Sequence, residues 1–264
     1  MSQDTREKVY KDLIGRQLVE DEAKMRHSAH RILGILREFI QPQSVLDVGC
    51  GVGSFLKAAQ EIGIVDIRGM EGAWLDKSKL VIDPALVELR DLEQSFSLGR
   101  RFDLVMCIEV AEHLSVPAAP QFVKSLTEHG DLILFSAAIP FQGGHHHLNE
   151  QFPEYWAGLF AQHGFRVADL VRPRLWNDDS VWYWLRQNML LFAHQRVLDA
   201  NERLRRESEQ TRPLSLVHPF YYVVRMNEVE KLTEQHNAMI GVFRHGGVFD
   251  VTPLPDGKVR ITKR

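Results

Sequence analysis

Ser44-Val45-Leu46-Asp47-Val48-Gly49-Cys50-Gly51-Val52-Gly53 delivers an apolar strand into three alternating glycines and then into an amphipathic stretch that starts at Ser54. Glycine accepts positive φ and leaves no Cβ between the backbone and a ligand lying across it. A strand, a glycine turn and a helix in this order form the first crossover of a doubly wound sheet, so the turn reads as a cradle for a nucleotide-containing ligand. On the N-terminal side, residues 8–40 carry Leu13, Ile14, Leu18, Met25, Ile32, Leu33, Leu36 and Ile40 at helical spacing, and Gln41-Pro42 closes that segment. On the C-terminal side, strands at 64–69, 86–90, 102–107, 131–137 and 165–171 alternate with helices at 53–62, 117–128 and 153–163. This alternation predicts an α/β fold, a doubly wound and mostly parallel sheet with helices on both faces. Three regions result: an N-terminal helical cap at 1–42, the sheet domain at 43–193, and a C-terminal extension at 194–264. The extension reads as a charged helix over 193–210, a second helix near 224–240 and a small hairpin with its turn at Pro253–Gly257.

The chain has 264 residues and a formal net charge of -3, with its basic residues interspersed among acids. It therefore lacks the electrostatic footprint of a duplex-binding protein, and no partner of that kind is expected. Its two cysteines, Cys50 and Cys107, are too few for a disulfide framework, which fits a reducing cytoplasm. No apolar run approaches the length of a membrane span, so no membrane association is expected. The charged C-terminal helices read as a packing or self-association appendage, giving a homo-oligomer as the expected protein partner.

Two carboxylates discriminate between cofactors. A dinucleotide site would place a third glycine at the sixth position of G-x-G-x-x-G, where this chain has Ser54. Asp47 would repel a phosphate but suits a cofactor bearing an ammonium and a sulfonium, namely S-adenosylmethionine. Glu71 follows the second strand about 20 residues past the glycines, where an acidic side chain accepts from ribose hydroxyls. VLDVGCGVG resembles the first motif of the class I, Rossmann-like methyltransferases, and GMEG resembles the end of their second strand, over about Arg31 to Ala193. That resemblance implies a seven-stranded sheet, which Asn188–Ala193 completes as an antiparallel edge strand. It also implies that Asp47, Gly49, Gly51, Gly53, Glu71 and Gly72 hold the cofactor. Asp91 and Leu92 would then meet the adenine edge, Ile108 would lie beside them, and Trp74 would stack on the ring.

Cys107-Ile108-Glu109-Val110-Ala111-Glu112-His113 follows an apolar strand, and ligands of open α/β sheets lie beyond the carboxyl ends of strands. Glu109, Glu112 and His113 stand at i, i+3 and i+4, which on a helical turn puts three ligands on one face. Beyond the strand over 131–137 comes Gly143-Gly144-His145-His146-His147-Leu148-Asn149-Glu150, a loop whose His147 completes a metal shell or acts as a base. E-x-x-E-H with a later histidine resembles the magnesium site of small-RNA 2′-O-methyltransferases and the E-x-x-E-H region of ubiquinone-biosynthesis O-methyltransferases. The resemblance implies Glu109, Glu112, His113 and His147 as ligands of Mg²⁺ or another divalent cation. It also implies His147, His113 and Glu112 as acid/base groups.

The surplus of imidazole and carboxylate favours an alcohol acceptor, whose proton must leave as the methyl arrives. The expected activity is methyl transfer from S-adenosylmethionine to a hydroxyl of a small polar acceptor such as a saccharide, with metal assistance. A pocket wall for that acceptor is expected from Trp176, Trp182, Tyr183, Trp184 and the run Met189–Phe192, or from the N-terminal helices. Three alternatives stand beside this reading. One is metal-free N- or O-methylation of a secondary metabolite. Another is a non-catalytic partner that binds S-adenosylmethionine or S-adenosylhomocysteine, and the third is a dinucleotide oxidoreductase.

Overall fold

In the computed structural model, which describes residues 20–244, 249–253 and 259–263, the chain divides into a unit ending at His218 and a second unit from Pro219 onward. The first unit opens with α1 (Glu22–Arg37), β1 (Ser44–Val48), α2 (Ser54–Glu61), β2 (Asp66–Glu71) and β3 (Val87–Leu89). It continues with β4 (Leu104–Ile108), α3 (Ala119–His129), β5 (Leu132–Ser136), α4 (Pro153–Ala161) and β6 (Phe165–Ala168). It closes with α5 (Arg172–Leu175), α6 (Tyr183–Asn188), β7 (Leu190–His194), α7 (Gln195–Ala200) and α8 (Glu202–Ser208). The part of the N-terminal helical reading that covers residues 8–19 lies outside the described residues.

The seven strands form one sheet in the order β3-β2-β1-β4-β5-β7-β6, parallel except for β7, which is antiparallel to both neighbours. Apolar runs in β4, β5 and β7 make this possible, because these strands bury both faces. Leu104 and Met106 of β4 face the core shared with Ile32, Leu33 and Leu36 of α1 and Leu56 of α2. Val105 and Cys107, alternating with them, face the opposite core with Phe122 and Leu126 of α3 and Trp156 and Phe160 of α4. The parallel strands β1, β2, β4 and β5 all end on one rim. The chain steps outward from β1 through β2 to β3 and then returns to the other side of β1 with β4, and ligands of such sheets lie at that reversal.

Several boundaries differ from the sequence reading. Strand β2 starts at Asp66 rather than residue 64, because Ile64 donates its N–H to the Ala59 carbonyl and so finishes helix α2, and Val65 is exposed. The expected edge strand at 188–193 is antiparallel but sits inside the sheet, and β6 is the edge. The sequence carries the reason: Leu190–Ala193 is apolar on both faces, whereas β6 exposes Arg166. The charged helix expected over 193–210 is two short helices broken at Asn201, whose side chain accepts from the N–H of Leu204. Their Leu198 and Leu204 are fully buried in the core of the first unit, so the separate unit starts at Pro219 and not at residue 194.

Arg172 fixes the end of that region. It is 1% exposed, pairs with both oxygens of Asp169, and donates to the carbonyl of Leu214 at 2.6 Å. The second unit contains α9 (Pro219–Arg244) and the antiparallel hairpin β8 (Phe249–Pro253) and β9 (Val259–Lys263), whose turn lies outside the described residues. Among the described residues no helix is long and apolar enough to cross a membrane.

Candidate active site

A cavity of about 860 Å³ opens at the carboxyl rim. Asp47, Gly49, Gly51, Glu71, Gly72, Asp91, Leu92 and Ile108 all line it, as do Trp74, His113 and His147. The expected cofactor residues therefore converge, with one exception. Gly53 is set back from the cavity and serves as the left-handed N-cap of α2, packed against Ile82. Its signal in the sequence was the same as that of its neighbours, since a left-handed turn into a helix and a ligand cradle both select glycine.

Local hydrogen bonding shapes the turn. The Gly49 and Cys50 N–H groups donate to the Met70 carbonyl at 2.7 and 3.1 Å, docking the turn onto the end of β2. Glu71 accepts from the N–H of Gly51 and from its neighbour Gly72, each at 2.7 Å. At Gly49, with φ +80, a Cβ would lie 2.2 Å from Cγ2 of Val110, so only glycine lets the segment after β4 pack onto the turn. Burial raises the Glu71 carboxyl above its usual range, opposed by these two amides. Burial and the nearby charge of Glu71 push Asp47 up to about 8. Two carboxylates held away from water beside one cavity form a site for positive charge.

Main-chain hydrogen bonds help hold the second cluster together. Leu148 and Asn149 donate their N–H groups to the Glu112 carbonyl at 2.7 and 3.0 Å, clasping the histidine loop onto the 3₁₀ turn Ala111–His113. Ligand atoms of Glu112, His113 and His147 consequently lie within 4.8 Å of one another, with the two rings edge to face at 4.9 Å. Both oxygens of Glu112 are buried without a hydrogen-bond partner. Burial and the charge of Glu109 raise its carboxyl well above the usual range; the Glu112 and Ala138 amides offset part of this without reaching hydrogen-bond geometry. Burial and the neighbouring His147 lower His113 to about 4, so its ring is neutral at physiological pH.

Glu109, the fourth expected ligand, lines the same cavity but is not among the converging ligand atoms. Its backbone has φ +53, and its oxygens accept from Gln142 Nε2 at 2.9 Å and Asn188 Nδ2 at 3.1 Å. The helical spacing read from E-x-x-E-H fails here because the helical turn starts only at Ala111. Glu112 belongs to the metal-competent group but does not itself line the cavity.

The sequence reading gave Glu150 no role. Its carboxylate accepts from the N–H groups of Phe141 at 2.7 Å and Gly143 at 3.2 Å, and it bonds His147 Nδ1 at 2.8 Å. An ionised carboxylate only accepts, so the proton sits on Nδ1 and Nε2 is left as the accepting nitrogen. The spacing His147-x-x-Glu150 was the available signal. Gly144, at φ +150, has no room for a Cβ, which would fall 2.3 Å from His147 Nε2. Of the expected aromatic wall only Trp184 lines the cavity, while the other expected wall, the N-terminal helix, contributes Asp21 and Met25 at the start of α1. Trp176 instead packs on His218, and Met189–Phe192 are core.

A family model described as a methyltransferase domain matches residues 17–173, more than half of the chain. No curated protein sequence matches it. Among solved structures, the sugar N-methyltransferase KedS8 from Streptoalloteichus sp. ATCC 53650 is similar over 69% of this chain and 92% of its own, at 18% identity and a TM-score of 0.51. Magnesium protoporphyrin IX methyltransferase (ChlM) from Synechocystis PCC 6803, solved with bound SAH, is similar over 73% and 100%, at 15% identity and a TM-score of 0.50. An O-methyltransferase family protein from Burkholderia thailandensis is similar over 73% of this chain and 60% of its own, at 15% identity and a TM-score of 0.50. At these identities the likeness is one of fold.

Proposed function

The chain belongs to the methyltransferase-domain family, and from that premise we propose that it moves a methyl group from S-adenosylmethionine to a hydroxyl of a small polar acceptor such as a saccharide. The observation that carries this reading is a single cavity lined both by the glycine turn with Asp47 and Glu71 and by His113 and His147. When bound, S-adenosylmethionine supplies a sulfonium methyl, which an acceptor oxygen takes by in-line displacement as the S–C bond breaks.

The chain's own residues do the rest. Asp47 offers its charge to the ammonium and sulfonium end. Glu71, with lone pairs beyond those taken by two amides, accepts from ribose hydroxyls, and Asp91 and Leu92 meet the adenine edge. His147 Nε2 takes the proton of the acceptor hydroxyl, while Glu150 keeps Nδ1–H in place and stabilises the ring as it becomes cationic. Holding the nucleophile in near-attack geometry supplies most of the acceleration that such a displacement needs.

Glu112, His113 and His147 fit a divalent cation, because Glu112 has two orphaned oxygens and the two imidazoles stand within reach. A bound cation would lower the pKa of the acceptor hydroxyl. One carboxylate with two imidazoles suits Mn²⁺, Fe²⁺ or Zn²⁺ better than Mg²⁺, which prefers oxygen ligands. A metal-free reaction has its own support in the Glu150–His147 pair, which is complete as a base without any ion.

Calorimetric titration of S-adenosylhomocysteine into the purified protein tests the cofactor reading, and one-to-one binding is expected. Absence of binding to folded protein would remove it. Transfer assays on hydroxylated acceptors, run with and without chelator and with Glu112→Gln, then decide between metal-assisted and metal-free transfer. Turnover that survives both treatments eliminates the metal.

A further inference from the structure

Helix α9 spans 26 residues and exposes apolar side chains, a seam of them flanked by exposed Val223 and Leu232 and with Phe220 outside it. Tyr222, Met226 and Val229 are 58%, 45% and 52% exposed, and with exposed Thr233 and His236 they follow the 4-3-4-3 spacing of a two-stranded coiled coil. Over this stretch every charged residue falls off the seam. Arg225, Glu228, Glu230, Lys231 and Glu234 occupy only flanking or outer positions of the repeat.

The flanking charges choose the partner. Taking Met226 and Thr233 as the a positions, Tyr222, Val229 and His236 are d, Arg225 is g, and Glu230 is the e residue of the next heptad. In a parallel two-stranded coil, g of one chain faces e of the following heptad in the other. A second copy of this helix in register would therefore bring Arg225 against Glu230 twice, once on each side of the Met226–Val229 core. Within its own chain Arg225 bonds Glu228, an outer c position, at 2.5 Å, and pairing exchanges that bond for Glu230 of the second copy.

An anionic membrane surface fits less well. From Pro219 to Asn237 the helix carries Arg225 and Lys231 against Glu228, Glu230 and Glu234, so its acids outnumber its bases. Polar Thr233 and His236 at seam positions are the kind of residue that fixes register at a cost in stability.

We propose that α9 is a homodimerisation element, pairing in parallel with α9 of a second copy through Tyr222, Met226 and Val229, with reciprocal Arg225–Glu230 contacts. The partner is the same chain, and the interface does not depend on the identity of the methyl acceptor.

Analytical ultracentrifugation of the full-length protein at micromolar concentration tests this. The wild type is expected to be a dimer, and Met226→Glu with Val229→Glu a monomer that still binds S-adenosylhomocysteine. Arg225→Glu alone and Glu230→Arg alone should each weaken the dimer by about 5-fold, since each creates two like-charge pairs. The double reversal should restore it. Thr233→Cys should form an inter-chain disulfide under mild oxidation, because parallel pairing places the two residues opposite each other. A monomeric wild type would overturn the proposal. So would a dimer that survives Met226→Glu with Val229→Glu, a double reversal no better than the singles, or wild-type binding to anionic vesicles in place of self-association.

Discussion

Replacing Gly49 with alanine puts a methyl group where Val110 already sits. The new Cβ would lie 2.2 Å from Cγ2 of Val110 and 2.9 Å from its Cγ1, on a backbone with φ +80. Holding an L-residue in the left-handed region costs roughly 1–2 kcal/mol. Overpacking adds roughly 1–3 kcal/mol, so Gly49→Ala should lose about 2–5 kcal/mol of unfolding free energy. The two contributions are separable. Val110→Ala removes both γ-methyls, so the double variant should keep the conformational cost and the cost of the trimmed valine but shed the clash. Urea unfolding of the wild type, both single variants and the double variant gives the coupling directly, expected at about 1–3 kcal/mol in favour of the double. Titration with S-adenosylhomocysteine should follow the same order, weak in Gly49→Ala and partly recovered in the double. Strictly additive costs, or a Gly49→Ala protein within about 0.5 kcal/mol of wild type, would refute the close approach of β4's continuation to the glycine turn.

Asp47, raised to about 8, binds its proton more tightly in the folded than in the unfolded chain. Its contribution to stability is complete below the ordinary carboxylate range and is lost as pH rises toward 8. Asp47→Asn should therefore flatten the fall in melting temperature between weakly acidic and weakly alkaline pH. It should also abolish the proton release that accompanies ligand binding in wild type below pH 8, read by calorimetry in buffers of different ionisation enthalpy. Glu150→Ala should lower activity about 10–100-fold while leaving S-adenosylhomocysteine affinity unchanged, since it frees the His147 ring without touching the glycine turn. Glu150→Gln, which can still accept one of those hydrogen bonds, should recover part of the loss. Arg172→Ala strands the buried Asp169 carboxylate and should destabilise the protein by about 3–5 kcal/mol in denaturant unfolding. A shift near zero there would show that the pair is dispensable.

The glycine turn was legible because its backbone requirement is written in residue identity at Gly49 and Gly51, and the middle of the sheet was legible because β4, β5 and β7 are apolar on both faces. Asp47 and Glu71 were legible as acids within the last residues of strands, and His113 and His147 as chemistry placed after strand ends. What escaped the sequence depended on backbone angles and on long-range pairing. Nothing in E-x-x-E-H announces that Glu109 adopts positive φ and turns toward Gln142 and Asn188, which come from a loop and a helix far along the chain. The interior place of β7 depended on which neighbours it pairs with, although its apolar character on both faces was in view. Glu150 was missed because its partners are mostly backbone amides, which no side-chain motif records.

The main-chain part of the join between the histidine loop and the turn at Ala111–His113 is one carbonyl and two amides, beside the contact of the His113 and His147 rings. Every amino acid except proline brings the same groups to such a join. The place of the loop is thus set in part by groups that any residue but proline supplies at 148 and 149. A descendant of this chain that exchanged the Glu112 carboxylate would keep that clasp and change the reagent, trying another acceptor or another proton path from the same place.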